Sequence, residues 1–370
     1  MIKYLGSKRR LVPVLGAMIG ASAAGSVLDL FTGTTRVAQE ARRLGAIVTA
    51  VDSARYAADA FARCYVQTIL TPSEATELAD EVARLDALPG VPGYVTEVFC
   101  RQGRFLQPDN GARVDAIRSA IAVEHAGGPW EPVLLTALVE AADRVDSTVG
   151  VQMAYLKTWS ARSSRRLRMR MPEIPDGPAG RAIRGDAVAL VSGGHGAAGA
   201  SASNGAGGLG PFDFAYLDPP YNQHRYLANY HVWETIVAGD EPEHYGVAMK
   251  RVECRSGGAA SAFNRRGGVG PALAACVAGI DAPILVVSYS DEGWLALADL
   301  TAMAATRGAI EVLSFDSRRY VGAQIGIHDP SGKRVGQVSH VRNIEHLLVC
   351  GDAALVRRVA EAGRAATPLA

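Results

Sequence analysis

The sequence predicts an α/β core interrupted by a mostly helical insertion, and three observations lead there. Residues 26 to 52 read as strand, glycine turn, helix and strand, the βαβ unit of an open sheet. From about Cys64 to Ile183 that rhythm gives way to polar helical segments and breaks such as Leu88-Pro89-Gly90-Val91-Pro92-Gly93. Buried-strand patterns then return. The expected core is therefore discontinuous, residues 1–63 and 181–355, around an insertion at 64–180. A flexible Gly/Ala/Ser-rich loop is expected at 192–210, and 356–370 reads as a tail that is helical and then disordered.

Taken in order, Met1 to Arg10 combines an aromatic (Tyr4), a tight Gly6-Ser7 turn and a cation (Lys8) ahead of an apolar helical stretch from Leu11. Ser26–Phe31 reads as a short buried strand, Thr32-Gly33-Thr34-Thr35 as a turn, and Val37–Leu44 as a helix closed by Gly45. A second strand, Ala46–Val51, ends in Asp52. Within the insertion, Pro132–Ala142 has helical apolar spacing. It is followed by Tyr155, Lys157 and Trp159, then by Arg162, Arg165, Arg166, Arg168 and Arg170 in one serine-flanked stretch. The core resumes at Arg184-Gly185-Asp186-Ala187. The apolar run Phe212–Leu217 ends in Asp218-Pro219-Pro220-Tyr221, a corner whose two prolines remove two N–H donors and cannot continue as sheet. A second glycine-rich stretch, Arg255–Gly270, carries Phe263-Asn264-Arg265-Arg266 and reads as a lid. Strands are expected at Pro283–Tyr289, Ile310–Arg318 and Glu345–Cys350.

Composition narrows the function classes. A net charge of +1 over 370 residues provides no global field, so a polyanion must be met by local patches. The arginine cluster with Tyr155 and Trp159 close by is such a patch, suited to a phosphate backbone. Five scattered cysteines, none in a C-x-x-C pair, argue against a disulfide framework and a zinc knuckle. They indicate a reducing, cytoplasmic setting and no metal. The basic Lys8-Arg9-Arg10 start imitates a secretory signal, but Pro13, Gly16 and Gly20 interrupt the apolar run behind it, and no run is long enough to span a bilayer.

The acid at the tip of the second strand, Asp52, is placed to accept hydrogen bonds from ribose hydroxyls, which points to an adenosine-containing cofactor. In an open sheet Asp218-Pro219-Pro220-Tyr221 faces the same carboxyl-end crevice. A planar base lying on Tyr221, with its exocyclic amine held by Asp218 and the proline carbonyls, is arranged for amine methylation. The acceptors favour a pyramidal nitrogen and stabilise the positive charge developing on it.

With these motifs in this order, the chain resembles a DNA adenine-N6 methyltransferase of the D12 class, the group related to the Dam enzymes. The resemblance rests on Tyr4-Leu5-Gly6-Ser7-Lys8, Asp29-Leu30-Phe31-Thr32-Gly33 and Asp218-Pro219-Pro220-Tyr221, and runs from Lys3 to about Gly351. It implies a Rossmann-like S-adenosylmethionine-dependent core with a helical target-recognition insertion, acting on double-stranded DNA, with a cognate restriction endonuclease as a partner the resemblance admits. It implies that Tyr4, Gly6, Ser7 and Lys8 line the cofactor site. Asp29, Phe31, Gly33, Thr34 and Thr35 would pack along the cofactor, Asp52 and Ser53 at its ribose, and Asp186 and Ala187 near its adenine. Leu134–Trp159 resembles the family's DNA-contacting helices. Tyr155, Lys157, the arginine cluster, Asn264, Arg265 and Arg266 are the expected DNA contacts. Two departures are Tyr4, where the family usually has Trp, and Thr35, where it usually has a second glycine. The alternatives are methylation of cytosine N4 or of adenine in RNA, a non-catalytic DNA-binding relative, and a nicotinamide-dependent oxidoreductase, which would need a glycine series that is missing here.

Overall fold

The computed structural model describes residues 2–193, 209–223, 225–255, 261–318, 327–328, 334–336 and 342–369. Most of the expected 192–210 loop lies outside them, as do residues 256–260 of the second glycine-rich stretch. Seven strands form the central sheet: β1 (Ser26–Asp29), β2 (Ile47–Asp52), β3 (Arg181–Arg184), β4 (Phe214–Leu217), β5 (Ile284–Ser290), β6 (Ala309–Arg318) and β7 (Arg342–Gly351). Their order is β3-β2-β1-β4-β5-β7-β6. The pairs from β3 to β5 are parallel, and β7 runs antiparallel to both of its neighbours. The strand order reverses between β1 and β4, which opens a crevice at their carboxyl ends.

Alternation along the strands sends side chains to two faces. In β4, Phe214 and Tyr216 face the helices Val12–Ser22, Arg36–Arg43 and Ala353–Ala365, whereas Ala215 and Leu217 face Val269–Gly279 and Leu297–Ala305. Helix Ala353–Ala365 is thus a core element: Val356, Val359 and Ala360 are buried against the helix Val12–Ser22. The helix expected in this segment is present, and it packs on the core because an alanine-rich helix buries a narrow stripe that composition does not advertise. Residues beyond it stay attached, since Leu369 donates its N–H to Arg10 O at 2.9 Å.

Between β2 and β3 the chain is helical: Tyr56–Gln67 and Val95–Gln102, both π-helical, with Pro72–Ala87, Pro108–Glu124 and Glu131–Arg144. Proline opens three of these, at Pro72, Pro108 and Pro132, in the first turn where its missing N–H costs nothing. Thr71 and Glu74 form a reciprocal capping box at the first of them. The expected boundary at 63/64 falls inside the helix Tyr56–Gln67, which packs Phe61 into the helical cluster and Ala62 and Val66 against the sheet. The helical cluster is completed from outside the insertion by Tyr230, Val232, Trp233 and Ile236, just downstream of the tetrapeptide. Among the described residues no helix is long and apolar enough to cross a membrane.

Candidate active site

A cavity of about 400 Å³ lies at the β1/β4 reversal, and its wall contains most of the residues expected to act together. Tyr4, Gly6, Ser7, Lys8, Asp29, Phe31, Gly33, Thr34, Asp52, Ser53, Asp186, Ala187 and Asp218 all line it, as do Pro220, Phe263 and Asn264.

The N-terminal segment is held from two sides. Lys3 Nζ lies 3.1 Å from Asp143 Oδ2 and 3.2 Å from Asp146 Oδ1, which ties it to the end of the helix Glu131–Arg144. Tyr4 stacks at 4.6 Å on Tyr230 and at 5.4 Å on Tyr226, and Tyr230 Oη accepts the Leu5 N–H at 2.5 Å. Between these anchors Gly6 takes φ +73°, the left-handed conformation in which a side chain is strained. The turn delivers Lys8 into the crevice, 2.8 Å from Asp218 Oδ1 and 3.1 Å from Glu345 Oε1. Burial alone would lower the Lys8 pKa, but Asp218 and Glu345 outweigh it and raise it well above the ordinary lysine value.

Asp29 ends β1 almost fully buried. Its Oδ2 accepts the Thr32 hydroxyl at 2.9 Å, and its Oδ1 has no protein partner. Burial, reinforced by Asp218 and Asp52, pushes its carboxyl up to about 7. Gly33 follows at φ +50°, where a β-carbon would meet the Tyr4 ring at 3.1 Å. Asp52 receives the Gly33 N–H on Oδ2 and the Ala54 N–H on Oδ1, both at 2.9 Å, and burial still raises it above the usual carboxylate range. Asp186 caps the helix Ala187–Val191 through the Ala189 N–H.

Asp218 leaves the end of β4 with its carboxyl raised above the ordinary range, because burial outweighs the attraction of Lys8. Pro219 and Tyr221 are outside the cavity wall. The Tyr221 ring packs on Tyr289 at 5.6 Å, and its carbonyl accepts the Trp294 N–H. Asn264 donates through Nδ2 to Asn222 O at 3.0 Å, so the glycine-rich segment is fastened to the residue that follows the tetrapeptide.

Thr35 is not part of the wall. It is buried at φ +59°, its hydroxyl donating to Thr34 O and accepting from Gln39 Nε2. The glycine usual in the resemblance is replaced by a threonine held in the glycine conformation by its own hydroxyl bonds.

The arginine cluster divides. Arg162 is an internal staple: its guanidinium bonds Asp146 Oδ1 and O and the Thr148 carbonyl through Nε and Nη2, which sets it apart from the more exposed arginines that follow. Arg168 pairs with Asp86 at 3.0 Å but remains exposed. Arg166, Arg168 and Arg170 alternate outward with buried Leu167 and Met169, and Arg165 is exposed beside them. Lys157 is exposed, as are Arg265 and Arg266, while Tyr155 packs edge-on against Phe105 at 5.3 Å.

Two acids escaped the sequence reading. Glu234, inside the apolar helix His231–Ala238, lines the cavity and accepts the Arg55 and Tyr56 N–H groups; burial pushes it up to about 7. Glu345 receives the Ser288 hydroxyl on the same oxygen that faces Lys8. The signal for both was a lone acid in an apolar run.

Comparison with known proteins agrees with this arrangement. The family of D12 class N6 adenine-specific DNA methyltransferases matches residues 4–191 and 207–262. The type II methyltransferase M.NlaIII of Neisseria lactamica is 26% identical over 86% of this chain and 92% of its own length. The modification methylase StsI of Streptococcus sanguinis is 24% identical over 86% of this chain, which spans 49% of that protein. M.FokI, a type II methyltransferase of Planomicrobium okeanokoites, is 30% identical over 56% of this chain and 30% of its own length. No solved structure gives a significant match. With the mostly parallel sheet and the matched motifs around one crevice, this chain belongs to the D12 class of N6 adenine-specific DNA methyltransferases and is a site-specific DNA-methylating enzyme.

Proposed function

We propose that the chain transfers a methyl group from S-adenosylmethionine directly to N6 of an adenine turned out of duplex DNA, on a Rossmann-like core with residues 64–180 as the main part of its target-recognition region. The carrying observation is the convergence of Lys8, Asp29, Asp52 and Asp218 on one cavity. Its residues fit the cofactor. Asp29 Oδ1 is a buried acceptor without a partner, suited to a cationic group, and the lack of a side chain at Gly33 lets the Tyr4 ring close against the turn that lines the cavity. About 400 Å³ is within the range of small-molecule sites, roughly 300–1,000 Å³. Asp52 would hold the ribose, Asp186 and Ala187 the adenine end, and Tyr4 and Phe31 the flanks. S-adenosylmethionine, when bound, supplies an electrophilic sulfonium methyl group.

The chain's own residues handle the amine. Asp218 accepts one N6 hydrogen and the adjacent proline carbonyl the other, which localises the nitrogen lone pair and stabilises its developing charge. Tyr221 offers a face to the base. Stacking of about 1–3 kcal/mol offsets much of an unstacking cost of about a few kcal/mol. Arg165, Arg166 and Arg170, with Arg168, Arg265 and Arg266, supply phosphate contacts. The type II relatives support a cognate restriction endonuclease as partner, and a DNA substrate is compatible with a cytoplasmic setting.

Asp218→Asn tests the site. The variant keeps the shape and removes the anionic acceptor, so cofactor binding by calorimetry should persist while methyl transfer to DNA is lost. Wild-type turnover in the variant would refute the role.

A further inference from the structure

The pair Lys8–Asp218 is electrostatically complete, yet a second acid touches the same ammonium. Lys8 Nζ lies between Asp218 Oδ1 at 2.8 Å and Glu345 Oε1 at 3.1 Å, and the lysine side chain is only 8% exposed. Glu345 is carried by β7, the antiparallel strand, and its Oε1 also accepts the Ser288 hydroxyl from β5 at 2.5 Å. That carboxylate is therefore fixed before any substrate arrives. Two buried acids around one base leave an excess negative charge, a costly arrangement if the fold needed only a salt bridge.

The excess has a use at the moment the substrate amine reaches Asp218. Amine and ammonium compete for Asp218 Oδ1. With no other anion nearby, displacing Lys8 would strand a buried cation. We propose that Glu345 is a positioning residue: anchored by Ser288, it gives the Lys8 ammonium a second anionic seat, so that Lys8 is drawn off Asp218 as the target amine takes that carboxylate. This rests on the reading of Asp218 as the amine's acceptor. The charged groups that act on Asp218 are Lys8 and Glu345, while Asp29, Tyr216, Tyr221 and Tyr226 are titratable groups near enough to feel its charge. Of these, Glu345 is a like charge that shares a cation with it.

The test is the pH dependence of single-turnover methyl transfer in the full chain, for wild type, Glu345→Gln, Ser288→Ala and Asp218→Asn. Glu345→Gln should bind cofactor as wild type does, because Glu345 lies outside the cavity wall. Its turnover should fall, because Lys8 now stays on Asp218. Its acid limb should move to lower pH, because the like charge that raises Asp218 is gone. Ser288→Ala keeps the charge but frees the carboxylate, so turnover should fall while the acid limb stays. A Glu345→Gln limb that does not move, with or without slower turnover, overturns the proposal, since mere structural support predicts that result. If Glu345→Gln does not fold, Ser288→Ala decides: slower turnover at unchanged cofactor affinity supports the seat, and unchanged turnover overturns it. Methyl transfer by Asp218→Asn would instead bring down the reading of Asp218 itself, a separate failure with its own signature.

Discussion

Asp29→Asn should make the free enzyme more stable while weakening its hold on cofactor. The carboxyl is almost fully buried, has one oxygen without a partner, and is pushed from 3.8 to about 7. A shift of about three units corresponds to about 4 kcal/mol of destabilisation once the folded protein must ionise the group. The amide that replaces it leaves its NH2 group, with two N–H donors, unsatisfied, at about 1–3 kcal/mol for the group. The net expectation is a gain of about 1–3 kcal/mol at about pH 8. Because the folded pKa lies above the unfolded one, the wild-type penalty is absent below about pH 4 and builds up as pH rises to about 7. The advantage of the variant must therefore shrink on acidification and vanish or reverse by about pH 4. Glu234 and Asp52 share this direction, so the wild-type curve also rises toward acid, and the difference between the two proteins isolates Asp29. Urea unfolding at several pH values provides the assay, with calorimetry for cofactor binding. A variant less stable than wild type at about pH 8, or a stability difference that does not change with pH, would refute the reasoning.

Other substitutions test neighbouring parts of the account. Gly33→Ala places a β-carbon at φ +50° and 3.1 Å from the Tyr4 ring, so it should cost about 1–2 kcal/mol in denaturant unfolding and weaken cofactor binding. Replacing Arg165 and Arg166 together by Ala should reduce the slope of log affinity against log salt by about 2 in fluorescence anisotropy with duplex DNA; an unchanged slope removes them from the phosphate contacts. Arg162→Ala should behave oppositely, losing about 1–3 kcal/mol of stability with the salt slope intact, because its guanidinium is bound to Asp146 and the Thr148 carbonyl.

What the sequence made legible was what local pattern encodes. Apolar runs ending in acids placed Asp52 and Asp218 at strand tips, whereas the strand expected at Ser26–Phe31 stops at Asp29, and the helical spacing of Pro132–Ala142 became the helix Glu131–Arg144. What it hid depends on partners far away in the chain. Arg162 looked like its neighbours because nothing local reveals that Asp146 and the Thr148 carbonyl engage its Nε and Nη2. Glu345 is joined to Lys8 only when the last strand pairs antiparallel with β5. The helix Tyr56–Gln67 serves the sheet and the helical cluster at once, so its composition marks no boundary. Thr35 shows the limit of motif reading most plainly. Thr35 stands where a glycine is usual, yet the threonine adopts the left-handed backbone while its own hydroxyl bonds Thr34 O and Gln39 Nε2.

The central claim is that this cavity methylates adenine at N6. Incubating the full chain with methyl-labelled S-adenosylmethionine and unmethylated duplex DNA, then digesting to nucleosides and separating them, tests it most directly. The label should appear in N6-methyladenine; label in N4-methylcytosine, or none in DNA from protein that binds the cofactor, would contradict adenine-N6 transfer by this cavity.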